Sequence, residues 1–214
     1  MHAAFPAFSK EIINGINLGA KNKDITRLLD KTGGTFTAEA MALLLRVFGW
    51  VGFVSSFLSY FGWQSKKAMN YFTDNFEIVD PTVKGGRRYY QGKFLFRTDK
   101  PEDNMNVLLK FCPEPERLFK HSIFGSRIPN PDAIVSTEVL TEEAANAIEN
   151  DPNKVDVVIY FKDVQTVIGL VGKPDMDLVN MLLGNLVHIK GNVGHIFKFG
   201  SIAANLKSIL QPSK

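Results

Sequence analysis

The chain has 214 residues, 45% of them apolar and 22% charged. These are the proportions of a globular protein that buries one sizeable core with room for a helical appendage, and they exclude wholesale disorder. The formal net charge of +3 is too small for a dedicated nucleic-acid binder, which concentrates many more Lys and Arg on one face. A single cysteine, Cys112, excludes a disulfide framework and a cysteine-based zinc site and fits a reducing compartment. The opening MHAAFPAFSKEI lacks the basic start and apolar run of a secretory signal, and the closing Gln-Pro-Ser-Lys is not a peroxisomal tripeptide. The expectation is a cytoplasmic protein.

The first seventy residues read as helical. Phe8 to Leu18 and Asp24 to Leu29 are short periodic pieces, with Gly33-Gly34 as a break between the second and a longer helix capped by Thr37. That longer helix, Ala38 to Trp63, is the most apolar part of the chain, and seventeen residues between Arg46 and Gln64 carry no charge. This is the lower limit of roughly 17 to 25 residues needed to span a bilayer. Arg46, Gly49, Gly52, Ser56 and Ser59 fall near one side of the helix and Val47, Val51, Val54, Leu58 and Phe61 on the other, so the segment is sided. Core helix or lid, membrane-surface helix and membrane span all stay open. Lys66 and Lys67 would hold the C-terminal side of a span in the cytoplasm.

After Tyr71 the pattern becomes extended. Phe76 to Val79, Arg88 to Arg97, Asn106 to Cys112 and Ala133 to Thr137 read as strands, with Lys84-Gly-Gly86 and the polar Asp99–Asn104 segment as turns. Thr141 to Asn150 is a short helix with an acidic first turn that suits its dipole. Val155 to Phe161 is the strongest strand. Asp163 caps a helix through Val171, and Gly172-Lys-Pro174 interrupts it. A second helix follows over Asp175 to Leu183 on the apolar positions Met176, Val179, Leu182 and Leu183. A strand carrying Val187 and Ile189 then stops at Gly191-Asn192, a helix starts at Val193, and Ser201 to Leu210 reads as another. Strands followed by helices describe an α+β fold: a largely antiparallel sheet of about five strands with helices gathered on one face.

The segment Lys154 to Leu206, with VDVVIYF, the interruption at Gly172-Lys173 and IKGNVGHIFKF, resembles the C-terminal half of the sterol carrier protein type 2 family. In that family such a strand is followed by two short helices, a strand ending in a Gly-Asn-x-Gly turn and a closing helix. Here Gly191, Asn192 and Gly194 supply the turn. Upstream, Phe76 to Thr137 agrees in order and type. One family glycine falls on Asn185, beside Gly184, and the stretch from Pro113 to Asn153 is longer than the family leads one to expect. The domain division that follows is a helical extension over residues 1–70 and a carrier-like domain over residues 71–214.

The resemblance implies a non-enzymatic carrier whose tunnel holds a sterol, fatty acid, acyl-CoA or phospholipid, with no cofactor. The abundance of aromatics, Phe alone occurring seventeen times, agrees in kind. The lining it implies draws on Phe94, Phe96, Ile168 and Val171, and on Leu178, Met181, Leu182, Ile196 and Phe197. Trp50, Val54 and Phe57 would act as the lid. Plain core packing is the competing role for each. Two alternatives stand beside the carrier: an accessory subunit that presents a lipid to a lipid-metabolising enzyme, and a protein-interaction module.

No catalytic constellation is visible. His188 and His195 have no carboxylate or cysteine beside them, no Gly-x-Ser-x-Gly occurs, and Cys112 ends an apolar strand. Glu142 and Glu143 sit on a helix expected to be exposed. IKGNVGHI has the form of a nucleotide-clamping Gly-x-x-Gly loop, but such a loop joins two helices whereas a strand precedes this one, so no nucleic-acid partner is expected. From Leu178 onward there is no acidic residue. Lys190 and Lys198 on this basic closing face would favour a transient approach to an anionic membrane surface by about 1 kcal/mol each, against the plainer reading of scattered surface lysines.

Overall fold

A computed structural model describes residues 23–62, 70–172 and 184–210. The protein is a mixed α+β fold. Its elements in order are α1 (Lys23–Tyr60), α2 (Tyr71–Phe76), β1 (Glu77–Val79), β2 (Arg87–Tyr89), β3 (Lys93–Thr98), β4 (Asn106–Phe111), α3 (Pro131–Ile134), β5 (Val135–Val139), α4 (Glu142–Ile148), β6 (Val157–Phe161), α5 (Val164–Gly172), β7 (Val187–Gly191) and α6 (Val193–Leu210). The helices expected over 8–18 and 175–183 lie outside the described residues. The chain divides into two compact units, residues 1–42, 94–108 and 139–191, and residues 43–93, 109–138 and 192–214.

Five strands form one sheet in the order β5-β4-β3-β6-β7, and β1 pairs with β2 in a separate ribbon. β3 and β6 are parallel, with Phe96 opposite Ile159, while β6 and β7 are antiparallel, with Ile159 opposite Ile189. β4 and β5 also run antiparallel: the Cys112 amide donates to the Ile134 carbonyl and the Leu140 amide to that of Asn106, a constant sum of positions. The parallel pair accounts for β6 being the most continuously apolar strand, since a strand between two neighbours and covered on both faces has no polar side to alternate with.

Several local expectations are corrected. α1 is one helix of 38 residues that runs through Gly33-Gly34. A Cβ on Gly34 would collide with the carbonyl oxygen of Asp103, so this glycine permits a close approach and does not end the helix. Thr37, expected as a cap, is buried within the helix. The run Arg88 to Arg97 is two strands: the chain changes partners at Tyr90–Gly92, where the Tyr90 amide still reaches Phe76 and the Phe111 amide already reaches the Gly92 carbonyl. Tyr71 to Phe76 forms a helix with Tyr71, Phe72, Asn75 and Phe76 buried. The strand expected from Ala133 begins as the helical turn α3, because Asn130 accepts from the Asp132 amide and Pro131 occupies the first helical position. α6 is continuous through Gly200, so the two helices expected there are one.

Gly49 and Gly200 give a paired test of close approach. A Cβ at Gly49 would stand 2.5 Å from the Pro131 carbonyl oxygen and 3.3 Å from the Val135 Cβ, whereas at Gly200 it would meet open space. Gly49→Ala is expected to cost about 1–3 kcal/mol, and Gly200→Ala to stabilise by about 0.5–1 kcal/mol through helix propensity. Urea unfolding monitored by circular dichroism measures both.

Candidate functional site

In the first unit β3 is covered on both faces. Phe94 and Phe96, two residues apart, share one face and stack with ring centroids 6.4 Å apart, and Phe96 stacks on Phe161 at the same separation and 15° between planes. The opposite face carries Leu95, which packs with Leu108, Ala145, Val155 and Val158 in a small core edged by Leu140, Ile148 and Tyr160. Phe94 and Phe96 are both buried. On α5, Val164 and Val167 are buried and Ile168 is half-buried. Val171 lies in the last turn of this helix; Leu178, Met181 and Leu182 are outside the described residues.

In the second unit the candidate lid residues sit on the apolar length of α1. Leu43, Trp50 and Phe57 are seven apart and so form one stripe. Phe57 and Val54 are half-buried, but Trp50 is 52% exposed. Phe57 packs edge-on against Phe124 at 5.7 Å, and Tyr60 and Phe61 meet the same ring. Ile196 and Phe197 cannot both face inward, because adjacent helical residues point about 100° apart. Ile196 is buried and Phe197 is 75% exposed, so Phe197 lies on the solvent side of α6 and does not line an interior.

The turn residues divide their work. Gly191 has φ of 118°, and a Cβ there would collide with the Asp156 carbonyl oxygen; only glycine fits such a position. Asn192 caps α6, its side-chain oxygen accepting from the Gly194 amide at 2.8 Å. A Cβ on Gly194 would touch only that cap oxygen, so the close packing this glycine allows is against Asn192. Lys190, nominated for membrane approach, donates to Glu149 at 2.9 Å and to Asn150 at 2.7 Å. Lys198 stands 5.8 Å from the centre of the Tyr90 ring, and burial lowers its pKa against the opposing pull of Asp74. Tyr90 also meets His195, hydroxyl to Nδ1, at 2.8 Å.

A polar network on the α4 side of the sheet was not visible in the sequence. Arg97, on β3, is only 5% exposed. Its guanidinium forms ion pairs with Glu142 and Glu149, at the two ends of α4, and its Nε donates to Asn106 at 2.9 Å. Asn106 in turn donates to Glu142 at 3.0 Å. Burial raises the pKa of Glu149, yet hydrogen bonds from Tyr160 and Lys190 and the charges of Lys190 and Arg97 outweigh it and hold the carboxyl below its ordinary range. Burial, followed by the hydrogen bond to Glu149, pushes the Tyr160 phenol well up. The His188 ring stacks on Tyr160 at 4.4 Å and its Nδ1 lies 3.5 Å from Asp99. Two cations here face two carboxylates saturated with donors, which is an arrangement for holding α4 on the sheet. The signal available in the sequence was an arginine inside KFLFRT together with glutamates seven apart, on one helix face.

Other polar positions are less built up. A cleft of about 220 Å³ in the second unit is lined by Glu114, Arg117, Asn130, Asp132 and Ser136 with Pro113 and Ala133; its charged lining does not suit an apolar guest. The Tyr71 hydroxyl is buried with no hydrogen-bond partner among the described residues. Cys112 is buried, and burial pushes its thiol up to about 12. Among the described residues no group of three or more His, Cys, Asp or Glu is placed to hold a metal ion.

Arg97→Leu takes from the half-buried Glu142 its cation and leaves Glu149 with Lys190 alone, and is expected to destabilise the fold by about 1–3 kcal/mol, measured by urea unfolding. Because the folded pKa of Glu149 is depressed, its stabilisation is complete above the ordinary carboxylate pKa and is lost as pH falls through the folded value. Stability followed from pH 7 to pH 3 should therefore decline less steeply in Glu149→Gln than in the wild type. Cys112 should react with a thiol-specific disulfide reagent at pH 8 only after denaturant is added. Compared with protein-family models, curated proteins and solved structures, the chain matches none.

Proposed function

We propose that the protein is a non-enzymatic carrier that binds an apolar lipid, of the class of a sterol, fatty acid, acyl-CoA or phospholipid, and moves it between membranes. The observation that carries this reading is the succession over residues 157–210: strand β6, helix α5, strand β7 ending at Gly191, the Asn192 cap and the closing helix α6. The described part of this succession agrees in order with the sterol-carrier pattern, the second of its two short helices falling outside the described residues, and glycine stands at the turn position that a side chain could not occupy. The row of Phe94, Phe96 and Phe161 supports the reading as a contiguous aromatic face of the kind that borders apolar ligands. The candidate lining residues Ile168, Val171, Leu178, Met181 and Leu182, all in the sequence of the first unit, belong to this proposal, and its location is cytoplasmic with transient contact to a membrane.

A second reading, an interaction module, is favoured by one feature. The segment Gly34–Tyr60 is long and apolar enough to cross a membrane, and its most apolar window is only 44% buried, which leaves Leu43 and Trp50 available to a partner.

The two readings separate on lipid content. Protein purified without detergent, extracted with organic solvent and analysed by mass spectrometry is expected to yield about one lipid per chain, and the delipidated protein to bind a fluorescent fatty acid or sterol at micromolar concentration or below. An extract without lipid, together with delipidated protein that binds neither probe, would overturn the carrier reading.

A further inference from the structure

The loop Leu118–Ile128 in the second unit is a short projection with buried ends: Leu118 and Ile128 are both buried, and the Asn130 amide returns to the Leu118 carbonyl at 2.7 Å. Between them the chain turns twice, with the Ser122 amide donating to Phe119 and the Gly125 amide to Ser122. Ile123 stands at the tip, 89% exposed. Its neighbour Phe124 points the other way and is clamped by Phe57, Tyr60 and Phe61 at the end of α1, with ring centroids 5.3 to 6.0 Å apart. The tip is therefore anchored, and it carries an apolar side chain exposed to solvent.

The loop itself carries charges of one sign, with the exposed Glu116 and Asp132 just outside its two ends. Lys120, His121 and Arg127 are exposed around the tip, and the Arg127 guanidinium lies 5.7 Å over the Tyr60 ring. From Leu118 to Pro131 the sequence contains no acidic residue. Tyr60 and Phe61 are themselves partly exposed. An aliphatic tip, aromatic rings at its base and a cationic rim correspond to the depth profile of a bilayer interface: hydrocarbon, then the aromatic belt, then anionic phosphate.

We infer that the Leu118–Ile128 loop, with the Tyr60-Phe61 end of α1 as its base, docks the protein on an anionic lipid bilayer by inserting Ile123 between headgroups. Charge complementarity favours an anionic bilayer over a second copy of the chain, which would place the cationic rim against itself. The inference deepens the carrier reading, since a carrier has to reach a bilayer to load. It moves the docking surface away from Lys190, whose charge is held by Glu149 and Asn150.

Co-sedimentation of the full chain with phosphatidylcholine vesicles, with and without phosphatidylserine, tests the inference. The wild type is expected to prefer the phosphatidylserine vesicles and to lose binding as salt rises. Ile123→Asp should weaken binding about tenfold or more, Ile123→Leu should leave it unchanged, and Lys120→Gln and Arg127→Gln should each cost about fivefold. Because Ile123 is exposed, Ile123→Ser serves as a second variant whose unfolding midpoint should match the wild type. Equal binding by wild type and Ile123→Asp, or no wild-type binding to anionic vesicles, would overturn the inference. So would a wild-type dimer that Ile123→Asp dissociates, since the tip would then be an interface between copies. Failure here with lipid still found in the extract leaves the carrier proposal standing, and success with an empty extract leaves only the docking.

Discussion

A single guanidinium in the middle of the sheet sets much of the first unit. Arg97 sits on β3, where its neighbours are Phe96 and Thr98, and a lone charge at such depth costs several kcal/mol. The charge is tolerated because α4 presents Glu142 from its first residue and Glu149 just past its last, so one side chain grips both ends of the helix. Asn106 on β4 completes the arrangement by bonding both Arg97 and Glu142. The position of α4 follows, and with it the burial of Ala145 against Leu95, Leu108 and Val158. An all-apolar core of the same volume would hold comparably.

The same strand separates two chemistries. One face of β3 is tied to α4 by charge and hydrogen bonds, and the other is the stacked row of Phe94, Phe96 and Phe161. Polar satisfaction on one side leaves the aromatic side without polar obligations, which suits it to greasy neighbours, whether side chains or a guest. The second unit is aromatic in a different manner: Phe48, Phe76, Tyr90 and Phe199 gather around Phe111, while Phe53, Phe57 and Phe61 climb the end of α1 toward Phe124. Exposed members of this second series give α1 an apolar face that ordinary core packing does not use.

The sequence disclosed regular patterns well and exceptions poorly. β4 and β6 were legible as apolar runs, β7 by its alternation and α4 by a capping threonine, and Thr141 does accept from the Ala144 amide. Gly34 misled because a residue lacking a Cβ signals a break and a close approach in the same way; only the position of the Asp103 carbonyl distinguishes them. Pro131 misled in the opposite sense, since Asn130-Pro131-Asp132 is a start signal for a helix that a run of apolar residues concealed. For the candidate site, apolar identity was readable but direction was not: Ile196 and Phe197 look alike in the chain and face opposite environments. The partners of Arg97 were hidden because they are 45 and 52 residues away, and no local period links them.

The Tyr71 hydroxyl is a polar atom placed among aromatic rings. Its ring fills space beside Phe76 at 5.9 Å, yet its oxygen is buried and bonds to nothing among the described residues. Tyr71→Phe would retain that packing and take one buried polar atom out of it.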